Sequence, residues 1–498
     1  MVSYTSYQLY WDWRYAVDKE FTASSGEPFA YAEDGKQEWG DEIKKFSFGE
    51  KPHDACISSD GSRLAVAVKH DIHIIDTNTW EVINILRGHI SNVDDMSFKP
   101  GDASVLVSSA PHSYAENTPT QPVIMIWDTE KASSDALPDK ATLTAVSTTA
   151  ALCAARDLAP MNVMLDEAEK QKLAELFEPV LTRVVNAHST ANRFKISGSL
   201  QTSHRSQVFS PSGRWMAYLP GSRPRSNAHD SWKINICSAQ DWSVFLELDA
   251  HTDAIMWKGW NSDESLFGSV AWDGRVCIRE ATSGKILYEF QTNCQNWAGG
   301  FSPDSRYFFG SAGDGSLHIY SLVDGSTHWT FDQGRHGRWI RALDWRHDSR
   351  LLAMGCQGYG KVLLIDVEEK VILQERRLSA AASQPDGEEL RGCMGGFIEI
   401  SKVYFVDGGN KIATFTHADG SIEVFDIANQ VKWRFARGGT DSGPKSVEWI
   451  GENGKVMSKG GSTMVAWDDG KRRQTFFASV DFDGVRIWSI EQSTPVQQ

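Results

Sequence analysis

Phe301-Ser302-Pro303-Asp304-Ser305, then a short apolar strand, then Asp314-Gly315 and Leu317-His318-Ile319-Tyr320, is the stretch that decides the fold. An apolar strand ends on a large residue, Phe301, and meets a tight turn. In that turn Pro presets φ and Asp caps its own backbone, while the Gly of the second turn accepts positive φ. The residues after Asp314-Gly315 alternate apolar and polar, the period of a strand with two different faces.

The same unit recurs on both sides. Its first turn begins at Ile57, Phe98, Phe209, Trp260, Phe301, Trp345, Phe405 and Trp449. Six of the seven intervals lie between 41 and 60 residues, and one is 111. The shortest match a four-stranded propeller blade of about 40–45 residues. The second turn returns as Asp273-Gly274, Asp419-Gly420 and Asp483-Gly484. Eight first turns give eight blades, with seven as the alternative, because Lys445–Trp449 and Ser462–Trp467 both read as first strands of the last unit. Glu42–Phe48 alternates and supplies an outer strand that closes the ring, which leaves no long open edge. The expected organisation is a 1–39 extension, a 40–491 propeller with a 135–190 helical insertion, and a 492–498 tail.

Composition agrees and excludes. Among 498 residues there are 41 Gly and 19 Trp, many turns and many large aromatics. Lys+Arg is 50 against Asp+Glu 65, a net charge of -15, which disfavours nucleic acid as main partner and an anionic membrane surface. No apolar run is long enough for a membrane span. Met1 to Arg14 has no apolar stretch of the kind that makes a signal peptide. Seven Cys without a CxxC pair, and no Asn-x-Ser/Thr acceptor, fit a reducing compartment, so an intracellular location, cytoplasmic or nuclear, is expected.

Gly88-His89 before one first strand and Ile126-Trp127-Asp128 ending its third strand make the chain resemble the WD40-repeat family. That family ties each blade with a His, Ser/Thr, Asp, Trp hydrogen-bond tetrad. Here the sets are partial. His89, Ser108 and Trp127 lack an Asp turn. His251, Ser269 and Asp273 have Arg279 where Trp belongs. Ser479, Asp483 and Trp488 have Gly439 near the His position. The resemblance implies an all-β, WD40-type β-propeller and a non-enzymatic interaction scaffold. It is nearly silent on the partner.

The 111-residue interval holds an Ala/Leu/Glu/Lys-rich segment read as a helical hairpin between third and fourth strands of blade two. Pro179 is expected to kink or cut its longer helix. The seam Leu173/Leu176/Phe177/Val180 either packs on the propeller or offers a helix-in-groove contact. Three long loops, 111–121, 220–231 and 379–396, fall on the opposite face, the top.

Catalytic motifs are wanting. Gly355–Val362 matches GxxxxGK, but Val362 stands where a phosphate loop needs Ser/Thr, and a strand follows where a helix is needed. His70 and His73 fall on opposite faces of a strand, so one ion cannot take both. His89, His251 and His336 sit at the inter-blade position of a structural histidine. No metal site and no cofactor is expected, and no GxSxG or HExxH occurs.

Candidate partner contacts are aromatics and arginines expected on the top face. Trp272 and Phe482 precede Asp-Gly turns. Trp297 and Trp339 stand near blade entries, with Arg338 and Arg341 beside Trp339. Tyr359 tops another hairpin, and Arg223 and Arg225 lie in a top loop suited to an acidic or phosphorylated peptide. The expected function is a protein-protein interaction scaffold of a multiprotein assembly. Two alternatives stand: an enzyme using acids converging in the channel, and a substrate adaptor of a ubiquitin ligase or chromatin complex.

Overall fold

The computed structural model describes residues 21–22, 28–31, 42–110, 122–131, 140–186, 191–221, 232–332, 340–356, 361–377, 400–416, 421–429, 431–435, 449–450, 456–457, 461–481 and 484–493. These form a WD40-type β-propeller made of antiparallel sheets of consecutive strands. Four-stranded sheets span Pro52–Arg87, Ile255–Gln291, Asn296–Asp332 and Ala342–Arg377. A seven-stranded sheet runs from Asp95 to His251, because Gly198 and Ser199 pair with Pro220 and Leu219 and so join two units.

The turn chemistry read from sequence is visible in the hydrogen bonds. Ser302 Oγ donates to Asp304 Oδ1 at 2.6 Å, and Tyr307 N donates to Ser302 Oγ at 2.9 Å. Ser58 and Asp60 do the same at 2.6 Å. The residue closing the turn is left-handed whether or not it is glycine: Gly61 has φ 70°, and Glu264, Ser305 and Ser349 each have φ 62°. The Asp before each of the last three caps the loop and offsets the steric cost. Neighbouring turns are laced together. Asn261 Nδ2 donates to Ser305 Oγ at 3.0 Å, Asp304 N to Ser349 Oγ at 2.9 Å, and Asp407 N to Asp468 Oδ1 at 2.9 Å.

Core side chains fill the spaces between sheets. Leu64, Val66 and Ile75 of the 52–87 sheet pack with Val465, Trp467 and Phe476 of the last sheet, so first and last units touch. Closure is by a β ladder between the two ends of the chain: Lys44–Phe46 pairs antiparallel with residues 485–487 of the terminal strand. Gly484 sits at the joint with φ 152°, and a Cβ there would lie 2.0 Å from the Phe46 carbonyl oxygen. Gly484→Ala should therefore cost about 2–3 kcal/mol by overpacking the joint. Urea unfolding checks it; a loss below about 0.5 kcal/mol would mean the joint yields to the added methyl.

Two points that the sequence left open are described by the structure. The last sheet starts at Gly461–Asp469, whereas Trp449-Ile450 pairs only with Val456–Met457 in a separate two-stranded sheet. Burial explains the choice, since Met464 and Trp467 drive the 461–469 strand into the core. Part of the 1–39 extension also joins a sheet: Ala30 and Tyr31 pair in parallel with Val431 and Lys432, and residues 21–22 pair with 28–29. An outer strand presents unpaired backbone groups, and this segment covers them.

The insertion is two helices, α1 (Lys140–Leu158) and α2 (Glu167–Asn186), between the paired strands 123–128 and 192–199. Asp166 and Glu169 cap α2 reciprocally, through bonds of 2.8 and 2.9 Å. The helix continues through Pro179, which does not cut it. Small buried residues Ser147, Ala151 and Ala174 let the helices approach, and Thr144 Oγ1 donates to Glu178 Oε2 at 3.0 Å. Leu173 and Phe177 are half-buried, while Leu176 and Val180 point to solvent.

Candidate functional site

Three groups of side chains matter, and the first holds the blades. His89 Nε2 and Trp127 Nε1 both meet Ser108 Oγ at 2.7 Å, deep in the core. His251 bridges Ser269 Oγ at 2.9 Å and Asp273 Oδ2 at 3.0 Å, and Thr252 N also donates to Asp273. Arg279, in the Trp position, is buried and donates to the Gly284 and Asp249 carbonyls at 3.0 and 3.1 Å. Trp488 Nε1 donates to Ser479 Oγ at 3.1 Å, and Asp483 lies outside the described residues.

Burial pushes His89 down to about 3 and lowers His251 despite the Asp273 carboxylate. Both imidazoles are neutral at physiological pH, so neither is a poised general base. The folded pKa lies below the unfolded 6.5, so the unfolded state binds the extra proton and stability falls as pH drops below 6.5. Between pH 6.5 and 5, His89 should remove about 2 kcal/mol, at about 1.4 kcal/mol per pH unit. Thermal melts of wild type and His89→Gln across that range test it. Parallel pH dependences would contradict it.

The second group lies at the strand two–three ends of adjacent sheets. Trp272 follows strand Leu266–Ala271, is half-buried, and stands 5.1 Å from Trp297. Arg341 caps the other ring, its Cζ 4.1 Å from the Trp297 centroid. Trp272 Nε1 is buried with no hydrogen-bond partner among the described residues. The structure thus brings Trp272, Trp297 and Arg341 together. Arg338, Trp339, Phe482, Tyr359, Arg223, Arg225 and His336 lie outside the described residues.

The third group fills the ring centre. Asp54, Asp95, Lys258, Asp344 and Lys402 stand on the innermost strands of five different units. Between Gln201 and Gln207 the chain leaves the blade edge. A turn, Ser203–Arg205, crosses to the far side, where Arg205 pairs with Asp344. Thr202 anchors the turn through N and Oγ1 bonds of 3.0 and 2.7 Å to Asp95. Ser206 and Gln207 hold the Lys258 backbone, and Lys258 Nζ donates to the Gln207 carbonyl at 2.9 Å.

Burial lifts Asp54 to about 7 against the field of Lys402, raises Asp344 against Arg205, and lowers Lys258 to about 7. These are shifted acids in a channel, the feature an enzyme would need. The two carboxyls, however, already face cations of this chain, and Lys258 already donates to the Gln207 carbonyl. Sequence reading missed this group. Its signal was a charged residue inside an otherwise apolar first strand, as in Ile255-Met256-Trp257-Lys258-Gly259-Trp260. Arg205, on a turn, gave none.

Other motifs resolve simply. Lys361 opens strand Lys361–Asp366 and pairs with Glu375 at 2.5 Å, so no helix follows the GxxxxGK stretch. His73 packs on Phe48 at 4.7 Å. Among the described residues no group of three or more His, Cys, Asp or Glu gathers as a metal site, and no helix is long and apolar enough to cross a membrane.

Residues 310–407 match the family model described as the anaphase-promoting complex subunit 4 WD40 domain. Two solved structures share the fold. The Saccharomyces cerevisiae Sqt1 structure aligns with TM-score 0.55 and 9% identity over 90% of this chain and 99% of that one. Chaetomium thermophilum Sqt1 bound to the N-terminus of the ribosomal protein L10 aligns with TM-score 0.53 and 11% identity over 90% and 100%. No curated protein sequence matches. The turn-and-strand repeat, the sheets and these matches agree on a WD40-type β-propeller fold, the family match itself being confined to residues 310–407.

Proposed function

We propose that the protein is a non-enzymatic scaffold of a multiprotein assembly, and that a partner segment docks on the top face around Trp272. The observation that carries this is half-buried Trp272 beside a second turn, held on buried Trp297, whose ring Arg341 also meets. Trp and Arg are the residue types that dominate binding energy at protein interfaces. Arg338, Trp339, Phe482, Tyr359, Arg223 and Arg225 belong to the same proposed surface. A structure of similar fold carries the N-terminus of a ribosomal protein, which supports a protein segment as ligand. The match to a subunit model of a larger complex supports an assembly. The exposed Leu176 and Val180 of α2 offer a second contact, on the other face. Six described cysteines are free thiols, which supports an intracellular site of action.

Affinity purification of wild type, Trp272→Ala, Arg338→Ala/Trp339→Ala and the opposite-face control Val323→Ser tests the reading. Loss of the same partner from both top-face variants, and from neither other protein, is expected. An identical partner set in all four would overturn it. We also propose eight blades. Projection images of the particle along its axis should show eight lobes, and seven would refute the count.

A further inference from the structure

Arg205 does not lie against its own sheet. Its guanidinium reaches across the ring to Asp344, bonds the Val403 carbonyl at 3.4 Å, and stands 4.8 Å from the Tyr404 ring centroid. A carboxylate, a carbonyl and an aromatic face are the three groups that recognise a guanidinium.

This pocket is built without help from Arg205. Phe405 N donates to Asp344 Oδ2 at 2.7 Å, which fixes the carboxylate and leaves Oδ1 facing Arg205. Tyr404 OH donates to the Met464 carbonyl at 3.4 Å, which orients its ring. The pocket walls come from strands Ala342–Trp345 and Ile400–Val406, both in regular ladders. The occupant comes from an irregular turn. Gln201 and Arg205 are both left-handed, at φ 57° and 61°, a conformation that costs a non-glycine residue about 1–2 kcal/mol. Arg205 keeps 38% of its side chain exposed, so the pocket opens to solvent.

We infer that Asp344, Tyr404 and the Val403 carbonyl form an arginine-binding pocket, occupied in cis by Arg205 and open to an arginine of a partner peptide when the Ser203–Arg205 turn withdraws. The incoming side chain makes the same carboxylate, carbonyl and ring contacts without the left-handed backbone. The acidic balance of the whole chain, -15, favours the approach of such a basic segment. This site is separate from the Trp272 surface, so failure of either leaves the other standing.

The test titrates N-acetyl-Gly-Arg-Gly-amide, and its citrulline counterpart, into wild type, Arg205→Ala and Arg205→Ala/Asp344→Asn by calorimetry. Arg205→Ala should bind the arginine peptide about tenfold or more tighter than wild type. The citrulline peptide and the double variant should show no binding. A folded Arg205→Ala protein that binds no better than wild type overturns the inference. If Arg205→Ala does not fold, hydrogen exchange of wild type with millimolar arginine peptide decides. Faster exchange confined to 201–207 supports the pocket, and no change overturns it.

Discussion

Trp127→Ala should lower the unfolding free energy by about 3–5 kcal/mol, the range for deleting a large buried aromatic. Trp127 is wholly buried, packed with Met96, Phe98, Leu106 and Ala191. Its Nε1 shares the Ser108 hydroxyl with His89, so truncation empties a cavity and removes one arm of a buried node. The strand that carries it also leads into α1, and loosening it frees the root of the insertion. Guanidinium unfolding gives the number. A drop under about 1 kcal/mol would mean the site collapses around the missing ring, and that the His–Ser–Trp node is not what holds this sheet.

Glu423→Gln should cost about as much, about 3–5 kcal/mol, for a different reason. Glu423 is 1% exposed and faces two cations, Lys432 Nζ at 3.9 Å and Arg434 Nε at 3.6 Å. Lys432 has no exposed surface at all. Removing the carboxylate takes a counter-charge from two buried cations, which costs more than the intact pair contributes. Glu423→Gln/Lys432→Met should recover part of the loss, because it removes one of the two buried positive charges. Equal stabilities for the single and double variants would show that the pair is not coupled.

The fold was legible in the sequence because turns are local. Ser302-Pro303-Asp304-Ser305 specifies its own hydrogen bonds, and Leu317-His318-Ile319-Tyr320 declares its faces by alternation. The hairpin was legible for the same reason, through its helical spacing. The choice between Trp449 and Gly461 as the start of the last unit was not, since both segments alternate and only packing against Leu64 and Val66 selects one. Pairing of residues 30–31 with 431–432 joins positions about 400 apart, which no local pattern encodes. The ring centre failed similarly. Asp344 and Arg205 carry no signal singly, and their meeting depends on a turn that leaves its blade. Sequence picked out Trp272 as a candidate contact, and noted Trp297 and Arg341 only as residues near two different blade entries. It did not show that Trp297 lies between Trp272 and Arg341.

The most direct measurement places a photo-crosslinking residue at Trp272 and, in a second protein, at Val323. Trp272 is in the connection between second and third strands, and Val323, 76% exposed, between third and fourth strands of the next sheet, at the opposite end. Crosslinking to a co-purifying protein from position 272, and not from 323, is the result predicted here. Crosslinks from 323 alone would contradict the top face as the surface of recognition.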